Sequence, residues 1–294
     1  MRSARAGGER ARIAFAPHMS YVALITGASS GLGEATARRL SRETDTQLVL
    51  VARRRERLEQ LAAELAPTRT TVVEADLTDA DAPARIRDIL EREHGGELHM
   101  LVNNAGGAWR GTFGETGWAN VQRHMQLNFE APVRLTESLL PLLRAAAARR
   151  PADAGPGPLA PRVCIVNVSS TAGRVSRPGS GAYSASKFAL AGWTDSLHAE
   201  ERAHGVHVGL VLPGFVSTEG FPGDELLASV KTRWLVGRAE TVAEAILDAG
   251  PGGRAERYAP RPYGLVAAAR ILVPAIVRRA GAGGAFTTKT GDRS

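Results

Sequence analysis

Tyr21-Val22-Ala23-Leu24-Ile25-Thr26-Gly27-Ala28-Ser29-Ser30-Gly31-Leu32-Gly33 is the stretch on which the fold turns. The residues from Tyr21 to Thr26 form a short apolar run, and the pattern becomes helical from Glu34 to Ser41. Glycines at 27, 31 and 33 permit a tight strand-to-helix turn, close approach of a pyrophosphate to the backbone, and contact between helix and strand. The first N–H groups of the helix lack partners within it, so its N-terminus attracts an anion. The segment reads as a dinucleotide site, although a Gly-rich turn alone is weak and also fits a loop that holds no ligand.

Outward from this turn, apolar runs alternate with helical patterns. The further predicted strands are Gln47–Val51, Thr71–Glu74, Met100–Val102, Val163–Val168, His207–Leu212 and Glu256–Tyr258. Near-continuous hydrophobicity fits strands buried on both faces, and the alternation predicts an α/β fold with a doubly wound parallel sheet. Residues 1–19 lack hydrophobic periodicity and are expected to be a disordered tail, 20–260 a single folded domain, and 261–294 an apolar and basic extension. Between a helix ending near Ala148 and the strand at Val163, the run Arg149-Arg150-Pro151-Ala152-Asp153-Ala154-Gly155-Pro156-Gly157-Pro158 can neither continue a helix nor join a sheet, and reads as an exposed loop.

Composition narrows the function. Apolar content of 44% is ordinary for a globular core, and 5% aromatic residues imply aliphatic packing. The single cysteine, Cys164, sits in an apolar run and reads as an inert buried residue, so no intramolecular disulfide is possible and a cytoplasmic setting is expected. No metal site is expected: Glu200, His204 and His207 have helix-like spacing but fall at a helix end near Gly205. A net charge of +7 raises nucleic acid and anionic membranes as partners. Much of it clusters at Arg2 to Arg12 in the tail, at Arg53 to Arg57 beside the nucleotide turn, and at Arg278 and Arg279, so nucleic acid is not expected. From Tyr263 to Val277 the chain is apolar apart from Arg270, and Pro274 should bend any helix there. That is too short and interrupted to span a bilayer; a place on a membrane surface competes with packing over a cleft or a subunit interface.

Chemistry is carried by Tyr183 and Lys187 in Tyr-Ser-Ala-Ser-Lys, preceded by Ser170 at the end of an apolar run. Residues four apart share a helix face, so the ammonium can favour the ionised phenol. Bringing a phenol from about 10 toward neutral requires roughly 4 kcal/mol of preferential stabilisation. Lysine occurs only at 187, 231 and 289 in a chain that otherwise writes arginine, which singles out a need for a compact amine. Arg53 follows the second strand where an NAD-preferring site would place Asp or Glu on the ribose, and with Arg54 beside it favours the 2'-phosphate of NADP(H) over NAD(H).

Taken together, these segments resemble the short-chain dehydrogenase/reductase family from about Tyr21 to about Gly250. Its other marks are Asp76-Leu77-Thr78, Asn103-Asn104-Ala105-Gly106, Asn128, Asn167-Val168-Ser169-Ser170 and Pro213-Gly214. The resemblance implies a Rossmann-type sheet of about seven strands in the order 3-2-1-4-5-6-7. It implies a catalytic set of Asn128, Ser170, Tyr183 and Lys187. Cofactor contacts would come from Gly27, Ser29, Ser30, Gly31, Leu32 and Gly33 in the turn. Further contacts would come from Arg53, Asp76 and Leu77, from Asn104, Ala105 and Gly106, and from Tyr183, Lys187, Pro213, Gly214, Val216 and Thr218. Asp76 would hold the adenine edge, Asn128 would hold water on a proton path through Lys187, and Ser170 would orient a substrate carbonyl.

The expected reaction is hydride transfer between NADP(H) and a ketone or aldehyde, with Tyr183 as acid or base. Trp109, Phe113 and Trp118, with Phe215, Phe221, Leu226, Leu227, Trp234 and Leu235 in an expected substrate loop at about 215–237, suggest an apolar small-molecule substrate, or alternatively packing of a homodimer or homotetramer. The competing class is a non-catalytic dinucleotide sensor or scaffold of the same fold.

Overall fold

In the computed structural model, which describes residues 20–149, 162–216 and 236–282, β1 (Tyr21–Thr26) runs through the middle of a parallel sheet. Its side chains alternate between two separate cores. Tyr21, Ala23 and Ile25 enter one, and Val22 and Leu24 enter the other, as strict period-two geometry demands of a strand covered on both faces. The sheet continues with β2 (Thr46–Ala52), β3 (Thr70–Glu74), β4 (Met100–Asn103), β5 (Cys164–Val168) and β6 (His207–Pro213). Two short strands, β7 (Phe215–Val216) and β8 (Val236–Gly237), then pair with each other, and β9 (Glu256–Ala259) returns to the sheet edge. Strand order is β3-β2-β1-β4-β5-β6-β9, the expected Rossmann-type arrangement with β9 as its seventh member.

Helices cover both faces. On the side of Tyr21 pack α1 (Gly31–Leu40) through Ala37 and Leu40, α2 (Arg55–Glu64) through Leu58 and Leu61, and α7 (Ala239–Ala249) through Val242 and Ile246. On the opposite side pack α3 (Ala82–His94), α5 (Ala131–Ala148) and α6 (Gly181–Glu201), through residues such as Ile86, Leu135 and Leu197. Between β4 and α5 lies α4 (Phe113–Met125), kinked at Gly117 where φ is 58°, and then a π-helical turn, Gln126–Glu130. A buried polar bridge ties β4 to β5: Asn103 Nδ2 donates to Asn167 Oδ1 at 2.8 Å and to Thr136 at 3.0 Å, and Asn167 donates to Thr194 at 2.9 Å.

Past β9 the chain forms α8 (Tyr263–Leu272) and α9 (Pro274–Ala282). The break falls at Val273, because Pro274 lacks an N–H and opens a new helix instead of continuing the old one. The expected tail at 1–19, the proline-rich run from Arg150 on, and Thr218, Phe221, Leu226, Leu227, Trp234 and Leu235 lie outside the described residues. The ends of the expected substrate loop are joined by the β7–β8 ladder, Phe215 opposite Val236 and Val216 opposite Gly237.

Candidate active site

The glycine turn leaves β1 with Gly27 at φ 65° and Gly31 at φ 59°, conformations that a side chain would strain. A Cβ on Gly27 would stand 2.9 Å from the Ala105 backbone, and one on Gly33 would collide with the Gly27 carbonyl. Helix α1 therefore sits directly on the turn, its N-terminus at the C-terminal edge of the sheet, where open α/β sheets hold ligands. Ser29 and Ser30 line the entry. Arg54 clasps both, its guanidinium donating to Ser29 Oγ at 3.1 Å and to Ser30 Oγ at 2.7 Å. Leu32 packs partly buried against the core below.

Arg53 points the other way, 3.7 Å from Asp76 Oδ2. The opposite oxygen of Asp76 accepts from the Thr78 N–H at 2.9 Å and the Thr78 hydroxyl at 2.7 Å, an Asx turn that closes the end of β3. Burial opposes its charge, but the Thr78 bonds and then Arg53 hold the carboxyl below its ordinary range. Leu77 is buried. One carboxylate oxygen of Asp76 is thus committed to the turn.

Next to the glycine turn, β4 ends in Asn104, Ala105 and Gly106. Thr26, at the end of β1, organises this junction: its hydroxyl donates to the Val102 carbonyl at 3.1 Å and accepts from the N–H groups of Asn104 at 2.9 Å and Ala105 at 3.0 Å. The Asn104 side chain donates back to the Thr26 carbonyl at 2.8 Å. Gly106 leaves a gap at which a Cβ would lie 3.0 Å from Asn128 Oδ1 and 3.4 Å from Lys187 Nζ. Small residues here keep the strand ends and these two side chains in one hollow.

Asn128 is fully buried in the π turn. Its Oδ1 accepts from the Gly107 N–H at 2.8 Å, and its Nδ2 donates to the Gly107 carbonyl at 2.9 Å and to Ser186 Oγ at 3.0 Å. The helix is distorted at this residue into a π turn, a form that recurs at functional sites. Asparagine, a poor helix former, fits where a side chain must satisfy backbone groups of another segment.

Tyr183, Ser186 and Lys187 lie on the first turns of α6. Lys187 is buried, donates to the Val168 carbonyl at 3.0 Å, and stands 6.0 Å from the centre of the Tyr183 ring. Desolvation lowers its amine from 10.5 to about 8. Ser169 and Ser170 divide their work. The Ser169 hydroxyl donates to the Lys187 carbonyl at 2.9 Å, whereas the Ser170 hydroxyl reaches the Tyr183 side chain and lies 3.5 Å from the Pro213 carbonyl.

Tyr183 is half-buried as a residue, yet desolvation of its hydroxyl is the strongest influence and holds the phenol above its ordinary value. Ser170 opposes that rise, followed by the positive charges of Arg177 and Arg110. This differs from the sequence expectation, in which Lys187 supplied the opposing charge. Helical spacing brings the amine to the tyrosine's face, but the carbonyl of Val168 captures it there.

After β6, Pro213 and Gly214 lead into β7. The ring of Tyr263, from α8, fills the place where a side chain on Gly214 would project, and its hydroxyl accepts from the Phe215 N–H at 3.5 Å. Arg177 lies over the Phe215 ring at 4.9 Å. Val216 is buried. Beside Arg177 opens a cavity walled by Gly111, Thr112, Phe113, Val121 and Ala182.

The sequence reading missed four residues around this site. Thr26 was visible only as the end of a strand. His124, fully buried, packs edge-on to Tyr183 with ring centres 6.0 Å apart. Its Nε2 accepts from the Trp109 N–H at 3.0 Å and its Nδ1 lies 2.7 Å from the Asn120 carbonyl, which fixes a neutral Nδ1–H tautomer; burial keeps its pKa low. Arg110 and Arg177 come from loops whose approach to Tyr183 has no periodic signal. Cys164 is buried and inert as expected, its thiol pushed up to about 12 by desolvation.

The profile of the family described as short chain dehydrogenase matches residues 21–223. The chain belongs to the short-chain dehydrogenase/reductase family. Among relatives of this family, it is 36% identical over 206 residues to dehydrogenase/reductase SDR family member 7B of Bos taurus, a match covering 67% of this chain and 58% of that protein. The chain therefore spans under two-thirds of that relative's length. It is 31% identical over 232 residues to ketoacyl reductase HetN of Nostoc sp., covering 77% of this chain and 74% of that protein. A short-chain dehydrogenase from Streptomyces avermitilis superposes with a TM-score of 0.72 at 27% identity, over 92% of this chain and 99% of that one. In this member of an oxidoreductase family, the glycine turn after β1 and the side chains of Ser170, Tyr183 and Lys187 lie at the same edge of the sheet.

Proposed function

We propose that this chain is an NADP(H)-dependent reductase of ketones or aldehydes with a largely apolar body, able to oxidise the matching alcohol in reverse. The observation that carries the reading is the convergence of Ser170, Tyr183 and Lys187 beside Gly106, next to a glycine turn that admits no side chains at 27 or 33. That turn fits a pyrophosphate: positive-φ glycines, a helix N-terminus with no side-chain cap, and the Ser29 and Ser30 hydroxyls at its mouth with the Arg54 guanidinium on them. Residues 27 and 29–33 would hold the diphosphate, Asp76 and Leu77 the adenine side, and Lys187 with Asn104–Gly106 the nicotinamide half.

A bound reduced nicotinamide supplies a hydride to the substrate carbon. The protein's own part is proton delivery and orientation. Burial keeps the Tyr183 phenol protonated through neutral pH, so it is a donor for the substrate oxygen as negative charge develops there. Ser170 can donate to the same oxygen, fixing the carbonyl and spreading its charge. Arg110 and Arg177 then favour the tyrosinate left behind. Lys187, with its amine at about 8, can give up a proton near neutral pH and so supply the one that the tyrosinate must regain.

Preference for NADP(H) is supported by Arg53 and Arg54 at the end of β2, the latter fixed over Ser29 and Ser30. An apolar substrate is supported by the cavity beside Arg177, whose other named walls carry no charge. A panel of ketones, aldehydes and secondary alcohols, each assayed with NADPH or NADP and with NADH or NAD, tests the reading. Turnover of an apolar carbonyl compound with NADPH is the expected result; no turnover of any member, despite NADPH binding, would favour the dinucleotide sensor.

A further inference from the structure

We propose that α8 and α9 dock this protein on an anionic lipid surface, lying flat at the level of the headgroups. Among the described residues, six of the nine exposed large hydrophobic side chains fall within twelve positions: Leu265, Val266, Ile271, Leu272, Val273 and Ile276. Leu265 and Leu272 are 75% and 78% exposed, while Tyr263 and Ala267 on the inner side are buried. The segment is anchored to the body by one face and presents the other to its surroundings. The sequence reading left a membrane surface, a cleft and a subunit interface open for this segment, and most of its large apolar side chains point outward.

Charge decides what covers that face. Arg261, Arg270, Arg278 and Arg279 accompany the apolar row, and no aspartate or glutamate occurs between Glu256 and Asp292. A second copy meeting this patch across a two-fold axis would set arginine against arginine with no carboxylate of the patch to pair. An anionic bilayer satisfies both features, taking apolar side chains below the headgroups and arginines among the phosphates. Neither helix is long enough to cross a membrane, and no described helix is long and apolar enough to do so, so the geometry points to a helix pair lying on the surface.

Docking would also orient the molecule. Tyr263, the first residue of α8, rests on Gly214 and Phe215, beside the loop that borders Ser170. The rim of the candidate cleft would then face the lipid. The docking claim itself stands without the reductase reading and is measured without turnover.

The test is flotation of the full chain with vesicles of phosphatidylcholine alone, or with roughly one-third phosphatidylglycerol, at about 0.1 M and about 0.5 M salt. The expected result is at least about tenfold greater partition onto the anionic vesicles at low salt, with partial loss at high salt. Leu272→Glu with Ile276→Glu, exposed positions whose change leaves the core intact, should reduce binding about tenfold or more. Arg278→Ala and Arg279→Ala should each weaken it about fivefold. Failure of the wild-type chain to float would overturn the proposal, as would flotation unaffected by the Leu272 and Ile276 changes, which would assign binding to arginines elsewhere. A concentration-dependent dimer that the same two changes dissolve, without vesicle binding, would replace lipid by a second copy.

Discussion

Asn128 holds both backbone polar groups of Gly107, accepting from its N–H at 2.8 Å and donating to its carbonyl at 2.9 Å. This single side chain thereby fixes the loop after β4 against the π turn and keeps Gly106 next to Lys187. Replacing Asn128 with Ala leaves partly buried groups of Gly107 without these partners, which should lower unfolding free energy by about 1–3 kcal/mol. If Asn128 also positions the proton path, kcat should fall while the KM for NADPH changes little, and Asn128→Asp should retain part of kcat by keeping the acceptor for the Gly107 N–H. Chemical unfolding and steady-state kinetics on the two variants check this; a drop in stability with kcat unchanged would leave Asn128 a purely structural residue.

Lys187 gives the molecule a pH signature. Its buried amine lies at about 8 in the fold against 10.5 ordinarily. Below pH 8 both folded and unfolded chains carry the proton, and the cost of burying that charge, roughly 3 kcal/mol, is fully present. Between about 8 and 10.5 the folded chain releases the proton before the unfolded one does, so the unfolded state binds more protons and this group's destabilisation fades as pH rises. In urea unfolding without nucleotide, the stability of Lys187→Met relative to wild type should therefore decline from pH 7 to pH 10. A difference independent of pH would contradict the assignment, whatever offset arises from the lost bond to Val168.

The two arginines after β2 make separable contributions. Arg54 is held on the Ser29 and Ser30 hydroxyls, and Arg53, 75% exposed, faces Asp76. Charge-assisted bonds to a phosphate are worth about 1.5–3 kcal/mol, so loss of either should reduce the preference for NADPH over NADH by roughly 10- to 100-fold in kcat/KM. Arg53→Asp should go further by repelling the 2'-phosphate. Coenzyme titrations with one carbonyl substrate read the ratio directly, and an unchanged ratio in both Arg53→Asp and Arg54→Ala would remove the preference.

Much of the fold was legible because burial on both faces leaves long apolar runs and because glycine spacing marks the turn after β1. All seven strands of the main sheet stand where those runs lie, within a residue or so at each end. The pair β7 and β8 was not legible, since two residues cannot show a period. Tyr183 and Lys187 were legible through helical spacing, but the partner of the amine, the Val168 carbonyl, lies nineteen positions upstream on another element and leaves no local trace. The same reason hid His124, Arg110 and Arg177, which reach Tyr183 through tertiary packing alone. The break before Pro274 was foreseen from its missing N–H, but the exposure of the helices on either side was not, because hydrophobicity in a sequence does not say which way a face turns.

The measurement closest to the central claim is NADPH consumption with a reactive apolar ketone by wild type and Tyr183→Phe, beside fluorescence titration of NADPH binding to each. The phenol hydroxyl is the only group removed, and positioned acid–base catalysis contributes about 100- to 10,000-fold. The account predicts a loss of kcat in that range with NADPH affinity nearly intact; a Tyr183→Phe variant that keeps substantial turnover would contradict it.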